Sequence, residues 1–168
     1  MIPTEFQEKP WWHPYSLITA VLCIVFAQGA GFVGLLATSA PGSWYRSLVH
    51  PPGTPPGYVF GIVWPVLYLL IGMALYIFLR NAQREQLTYG LTVFALQWLT
   101  NAIWTPLFFG LHLTTVALVD LVILLGLILL NWKIFDRASR GSGILLMPYF
   151  AWCLYATYLN LGYVWLNG

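Results

Sequence analysis

The chain has 168 residues, of which 60% are hydrophobic, 17% aromatic and only 7% charged. A soluble domain carries about 25% charged residues, so this chain has too few to cover a globular surface in water. The net charge of +2, with no basic run, excludes a nucleic-acid-binding surface.

Residues 1–16 are polar to amphipathic and end in Pro10-Trp11-Trp12-His13-Pro14-Tyr15. Tryptophan and tyrosine favour the headgroup level, so this segment reads as an interfacial anchor. Glu5, Glu8 and the single Lys9 do not form the basic start of a signal peptide. The apolar run that follows is therefore expected to stay as a span, over 17–38. Ala27/Gly31 and Ala30/Gly34 are small-residue pairs four apart, which let helices approach closely; they are also one candidate dimer face.

A loop at 39–57 carries two proline pairs, Pro51-Pro52 and Pro55-Pro56, and reads as a rigid lid. The second span is expected at 58–79, with a kink at Pro65. A polar turn at 80–86 leads to a third span at 87–109, broken near its end by Pro106. After Gly110-Leu111-His112 a fourth span runs over 113–132. A charged loop, 133–143, precedes the fifth at 144–166. Each run is long enough to cross a hydrocarbon core of about 30 Å. The expected fold is thus all-α, a single membrane domain over 1–168 with five transmembrane helices.

Five spans put Lys9, Arg80, Arg84, Lys133, Arg137 and Arg140 on one side and Arg46 on the other. The positive-inside rule then places the amino terminus in the cytoplasm and the 39–57 loop, with the carboxyl terminus, outside.

Polar groups at membrane depth usually face a bundle interior. Gln97, Asn101 and Trp104 share one helix face, as do Gly61, Trp64 and Tyr68, and Tyr149, Trp152, Ala156 and Asn160. Asp120 is the single acid at that depth. The amides read equally as interhelical glue or as ligand contacts, and Asp120 as a structural acid, a ligand contact or a proton carrier. Cys23 and Cys153 read as buried thiols, and His50 and His112 as solvated loop histidines. Neither a metal-ligand spacing nor a hydrolytic constellation is present. What remains is an aromatic interior suited to stacking a planar hydrophobic ligand.

Four stretches carry a family resemblance: Trp44-Tyr45 through Pro51, Pro55-Pro56, Val59-Phe60-Gly61, Trp64 and Tyr68; Gln97 through Asn101 to Trp104-Thr105-Pro106-Leu107-Phe108-Phe109-Gly110; Ala117 to Leu121; and Pro148-Tyr149 through Trp152 to Asn160. Together they resemble the translocator protein or tryptophan-rich sensory protein (TspO/MBR) family. The resemblance implies a homodimeric five-helix bundle, with no required cofactor. Its ligands would be protoporphyrin IX and haem-type tetrapyrroles, and also synthetic isoquinoline carboxamides or benzodiazepines. It implies pocket residues Trp44, Trp64, Tyr68, Gln97, Asn101, Trp104, Asp120, Trp152 and Ala156. The function implied is tetrapyrrole sensing, transport or removal under stress. One alternative is light- and oxygen-dependent porphyrin degradation, with Trp64 and Trp152 as catalytic participants; another is a partner-binding regulatory role. Animal members bind sterol through a basic motif at the end of the last helix. Here Tyr163 is followed by Val164-Trp165-Leu166-Asn167-Gly168, so sterol binding is not carried over, and the short end fits a bacterial member.

Overall fold

The structure is a computed structural model that describes residues 7, 9–37 and 43–168. Position 38, the start of the 39–57 loop and most of the segment before Lys9 lie outside the described residues. The described chain is helical: α1 (Pro14–Ala37), α2 (Ser43–Ser47), α3 (Gly57–Asn81), α4 (Arg84–Thr105), a π-helical turn (Pro106–Gly110), α5 (Thr114–Ala138), α6 (Arg140–Ile144) and α7 (Met147–Asn167).

Among the described residues, four stretches are long and apolar enough to cross a membrane: Pro14–Gly34, Gly57–Asn81, Thr114–Ala138 and Arg140–Asn167. The sequence reading expected a fifth in the third position. There α4 has 22 residues, but Arg84, Glu85, the threonines, Gln97 and Asn101 dilute its apolar character. Apolar side chains face outward around the bundle, including Val21, Val25, Ile62, Leu99, Val119 and Leu154. Contiguous exposed apolar surface of this kind is what a lipid-facing bundle presents.

The helix ends differ from the sequence reading in two places. The polar turn shrinks to Ala82-Gln83, because the Gln83 backbone N–H donates to Gln86 Oε1 at 3.0 Å and starts α4 early. The expected charged loop at 133–143 is instead helix, with Lys133, Asp136 and Arg137 in the last turns of α5. Ser142 is fully buried, and its hydroxyl donates to the carbonyls of Phe135 (2.8 Å) and Ser139 (2.7 Å). Gly143 permits this return, since a Cβ there would sit 2.8 Å from Asp136 Cβ.

Small residues set the helix spacing. A Cβ on Gly72 would lie 2.5 Å from Ile24 Cα, so α1 and α3 meet backbone to backbone. Ala27 and Ala30 are buried at 0% and 2% exposure. The small-residue run of α1 is therefore spent inside the chain, which removes it as a dimer face. Gly90 of α4 is likewise spent inside the chain, its Cβ position filled by the Phe78 ring. At the end holding Lys9 and Arg80, the Arg80 guanidinium donates to the Lys9 carbonyl, to the Gln7 carbonyl (3.3 Å) and to Tyr76 Oη (3.2 Å). The amino-terminal segment is thereby tied to the end of α3.

Gln97 and Asn131 form a buried amide pair between α4 and α5, with Asn131 Nδ2 donating to Gln97 Oε1 at 3.0 Å. Removing one partner strands the other, which costs about 1–3 kcal/mol, whereas removing both is nearly neutral. Asn131→Leu is therefore expected to destabilise the bundle and the Gln97→Leu/Asn131→Leu double variant to recover most of that loss. Thermal unfolding of the four proteins of the cycle in detergent measures the coupling.

Candidate functional site

The loop end of the bundle holds a cavity of about 280 Å³. Its floor is set by glycine. Gly31 and Gly34 of α1 lie against Tyr68 and Thr105, and a Cβ on them would fall 2.7 Å from the Tyr68 ring and 3.0 Å from the Thr105 side chain. From α3 come Phe60, Trp64 and Tyr68. Trp64 and Tyr68, one turn apart, stack with centroids 5.4 Å apart and planes 24° apart. Trp104 and Thr105 close α4, Phe109 follows in the π-helical turn, and Tyr45 comes from α2. The described lining carries no charged side chain; its hydroxyl-bearing residues are Tyr45, Tyr68 and Thr105.

Pro106 cannot donate to the helix, and the turn after it widens so that the Leu111 N–H reaches the Pro106 carbonyl at 2.8 Å. The widened turn sets Phe108 stacked on Trp104 (5.5 Å, 25°) and Phe109 edge-on to it (5.9 Å, 87°). A second void of about 20 Å³ lies behind, lined by Ala156, Asn160 and Tyr163 among others. It shares Tyr45, Phe60, Trp104 and Phe109 with the first, so these four rings are the partition.

Of the residues singled out in the sequence, the structure brings Trp64, Tyr68 and Trp104 to the cavity and Ala156 to the void behind it. The others lie elsewhere. Trp44 stacks on His112 at 3.9 Å and 18°, beside the cavity. Asn101 is buried and accepts from Tyr68 Oη at 2.7 Å, and Gln97 is committed to Asn131, so both amides border a tiny void deeper in the bundle. Asp120 is half-buried at the edge of the inward stripe of α5; its Oδ2 has no hydrogen-bond partner among the described residues. Trp152 packs edge-on to Phe60 (5.8 Å) and against Tyr155 (5.6 Å), with its Nε1 also unpartnered there. Both cysteines are free and buried.

The lining residues missed by sequence reasoning are Tyr45, Gly57, Phe60, Thr105, Phe109 and the two α1 glycines. Phe60 and Phe109 stood in the motif runs without a role. No α-helical spacing could have placed Phe109, because the π-helical turn shifts its register by one residue.

The described part of the loop is a fixed strap. Thr54 N–H bonds to the Pro51 carbonyl at 3.2 Å, and Gly53, with φ +82°, takes the left-handed position of a type II turn after Pro52. Tyr155 Oη donates to the Gly53 carbonyl and Tyr158 Oη to that of Pro52 (3.1 Å). Asn167 pairs with Val49 through both its amide atoms, at 2.7 and 3.0 Å. Gly162 leaves room for Pro51, whose Cγ would be 2.6 Å from a Cβ there. The two loop histidines are engaged rather than merely solvated: His112, at φ 59°, stacks on Trp44, and His50 bonds to Tyr163.

An all-helical bundle with apolar outer faces and an aromatic, uncharged internal cavity defines an integral, multi-pass membrane protein. The chain belongs to the TspO/MBR family, whose model matches residues 20–166. It is 36% identical to the tryptophan-rich protein TspO of Chlorobaculum tepidum, over 90% of this chain and 98% of that one. It is 34% identical to the translocator protein homolog of Schizosaccharomyces pombe, over 95% and 93% of the two chains. With the translocator protein of Bos taurus it shares 33% identity over 90% and 88%.

Proposed function

We propose that this protein crosses the membrane five times, α4 included, and binds a planar tetrapyrrole such as protoporphyrin IX in the cavity beneath its loop. The observation that carries the reading is the cavity wall: Trp64 stacked on Tyr68, Trp104 opposite, and no charged lining residue. Burial of α4 residues Val93, Phe94, Gln97 and Asn101 between its neighbours supports the fifth span, since polar side chains are tolerated at membrane depth when they face the bundle. The tie between Arg80 and the segment at Lys9 supports the sidedness, with the amino terminus cytoplasmic and the loop outside. Its role is sensing, transport or removal of the tetrapyrrole, as a homodimer in a bacterial membrane. Synthetic isoquinoline carboxamides and benzodiazepines would enter the same cavity.

At about 280 Å³ the cavity stands just below the range of about 300–1,000 Å³ typical of small-molecule sites. A macrocycle therefore needs the cavity to widen, and swinging Phe60 or Phe109 aside would vacate the space of that ring as well as join the void of about 20 Å³ behind it. Trp152, on the far side of Phe60, would then approach the ligand only after that movement. For this reason binding, rather than oxidative chemistry at paired indoles, is the reading the geometry favours.

Titrating protoporphyrin IX into the detergent-solubilised protein tests this. Saturable quenching of tryptophan fluorescence, displaced by an isoquinoline carboxamide, is expected. Quenching that neither saturates nor yields to the competitor would sink the assignment.

A further inference from the structure

Three groups above the cavity form an unbroken chain of hydrogen bonds. His50 Nδ1 lies 2.7 Å from Tyr163 Oη, and Tyr163 Oη lies 2.8 Å from Tyr45 Oη. His50 is exposed, Tyr163 is buried at 3% exposure, and Tyr45 walls both the cavity and the void behind it. A hydroxyl has one proton to give and two lone pairs to accept with, so a hydroxyl that donates to one neighbour can only accept from the other. When Nδ1 carries no proton it accepts from Tyr163, which accepts from Tyr45, and Tyr45 keeps only lone pairs for any other partner. When Nδ1 is protonated it donates to Tyr163 and frees the Tyr163 proton; the Tyr45 oxygen, 2.8 Å away, is placed to accept it, and when it does the Tyr45 proton is released to donate elsewhere.

We propose that this relay sets the hydrogen-bonding sense of Tyr45 at the cavity wall, so that protonation of exposed His50 turns Tyr45 from an acceptor into a donor toward the ligand. The inference rests on the cavity being the ligand site. It commits the neutral His50 ring to the Nε2–H tautomer. The protonated form favours planar ligands bearing a carbonyl or carboxylate, and the neutral form those that offer an N–H or O–H.

Burial, and then the bond to Tyr163, hold the Tyr45 phenol above the ordinary tyrosine range, so Tyr45 stays a neutral hydroxyl while a histidine titrates. The groups facing His50 come from three elements. Tyr45 on α2 and Tyr163 on α7 lie edge-on to its ring at 5.0 and 5.7 Å. On its own strap and on α7, Asn167 bonds the neighbouring Val49, while Tyr155 and Tyr158 bond the carbonyls of Gly53 and Pro52. Arg46 is exposed at the end of α2, His112 stacks on Trp44, and Gly168 follows Asn167.

The test uses two probes that do not titrate: a tertiary naphthalene carboxamide, which accepts through its carbonyl, and pyrene, which does neither. Tryptophan quenching is read at about pH 5.5 and about pH 8, an interval across which an imidazole in water changes charge. The carboxamide is expected to bind about threefold to tenfold more tightly at the lower pH, the worth of one hydrogen bond, and pyrene equally at both. His50→Gln, which keeps a polar group without the charge change, and Tyr163→Phe, which cuts the chain, should each abolish the difference. Carboxamide binding that ignores pH while pyrene binds, or a pH effect that survives in both variants, overturns the relay and leaves the cavity standing. Failure of both probes to bind at either pH overturns the relay and the cavity reading together.

Discussion

Replacing Gly72 with alanine is expected to destabilise the protein more than any other single methyl addition in α1 or α3. The new Cβ would fall 2.5 Å from Ile24 Cα, 2.8 Å from Ile24 N and 2.9 Å from the Cys23 carbonyl oxygen. All three are backbone atoms and cannot rotate away, so α1 and α3 must separate along their contact. Overpacking by one methylene costs about 1–3 kcal/mol where side chains can give way, and this site belongs at or above about 3 kcal/mol. Gly126→Ala provides the contrast. It lies inside α5, its Cβ would meet nothing within 4 Å, and alanine is a better helix former by about 1 kcal/mol. Thermal unfolding in detergent should show Gly72→Ala melting well below the parent and Gly126→Ala at or above it. Equal melting of the two would mean that helix contact at Gly72 does not hold the bundle together.

The same contact shows what the sequence could and could not reveal. Apolar run lengths placed the helices to within about three residues except at the end of α5, because a span must be about 20 residues long whatever it packs against. Small-residue spacing in α1 showed that a close helix contact existed, but not whether the partner was α3 or a second copy. That choice depends on Gly72, which carries no periodic signal of its own. The charged loop expected at 133–143 failed for a related reason. Charge marks the end of the lipid-buried stretch, whereas the helix continues until Ser139, and Gly143 with buried Ser142 folds it back. At the site, helical periodicity found Trp64, Tyr68 and Trp104 on inward faces. It also selected Gln97 and Asn101, which face inward but spend their hydrogen bonds on Asn131 and Tyr68. An inward face is shared by core and cavity alike, and only the partner list separates them. The strap residues were legible as a proline-rich loop, while its clamp on α7 joins positions more than 100 residues apart and has no local signature.

Trp64→Ala is expected to weaken binding of protoporphyrin IX by about 2 kcal/mol, roughly thirtyfold, and Trp152→Ala by less than about threefold. Trp64 is a cavity wall and also the ring stacked on Tyr68, so its loss removes contact area and loosens the remaining wall. Trp152 packs edge-on to the cavity residue Phe60 and is not itself among the lining residues. A larger loss at Trp152 would place the ligand behind the partition and reverse the assignment. Phe60→Ala separates the two arrangements further. Removing that ring takes out one of the four that divide the cavity from the void behind it. If a macrocycle must push the partition aside to bind, that cost is removed in advance, and Phe60→Ala should bind protoporphyrin IX as tightly as the parent or more so despite losing an aromatic contact. A small probe such as the naphthalene carboxamide needs no such movement and should bind the variant more weakly. Opposite signs for the large and the small ligand at one position would show that the partition moves. Equal losses for both would mean that Phe60 is simply a wall and that the macrocycle is held within the cavity as it stands.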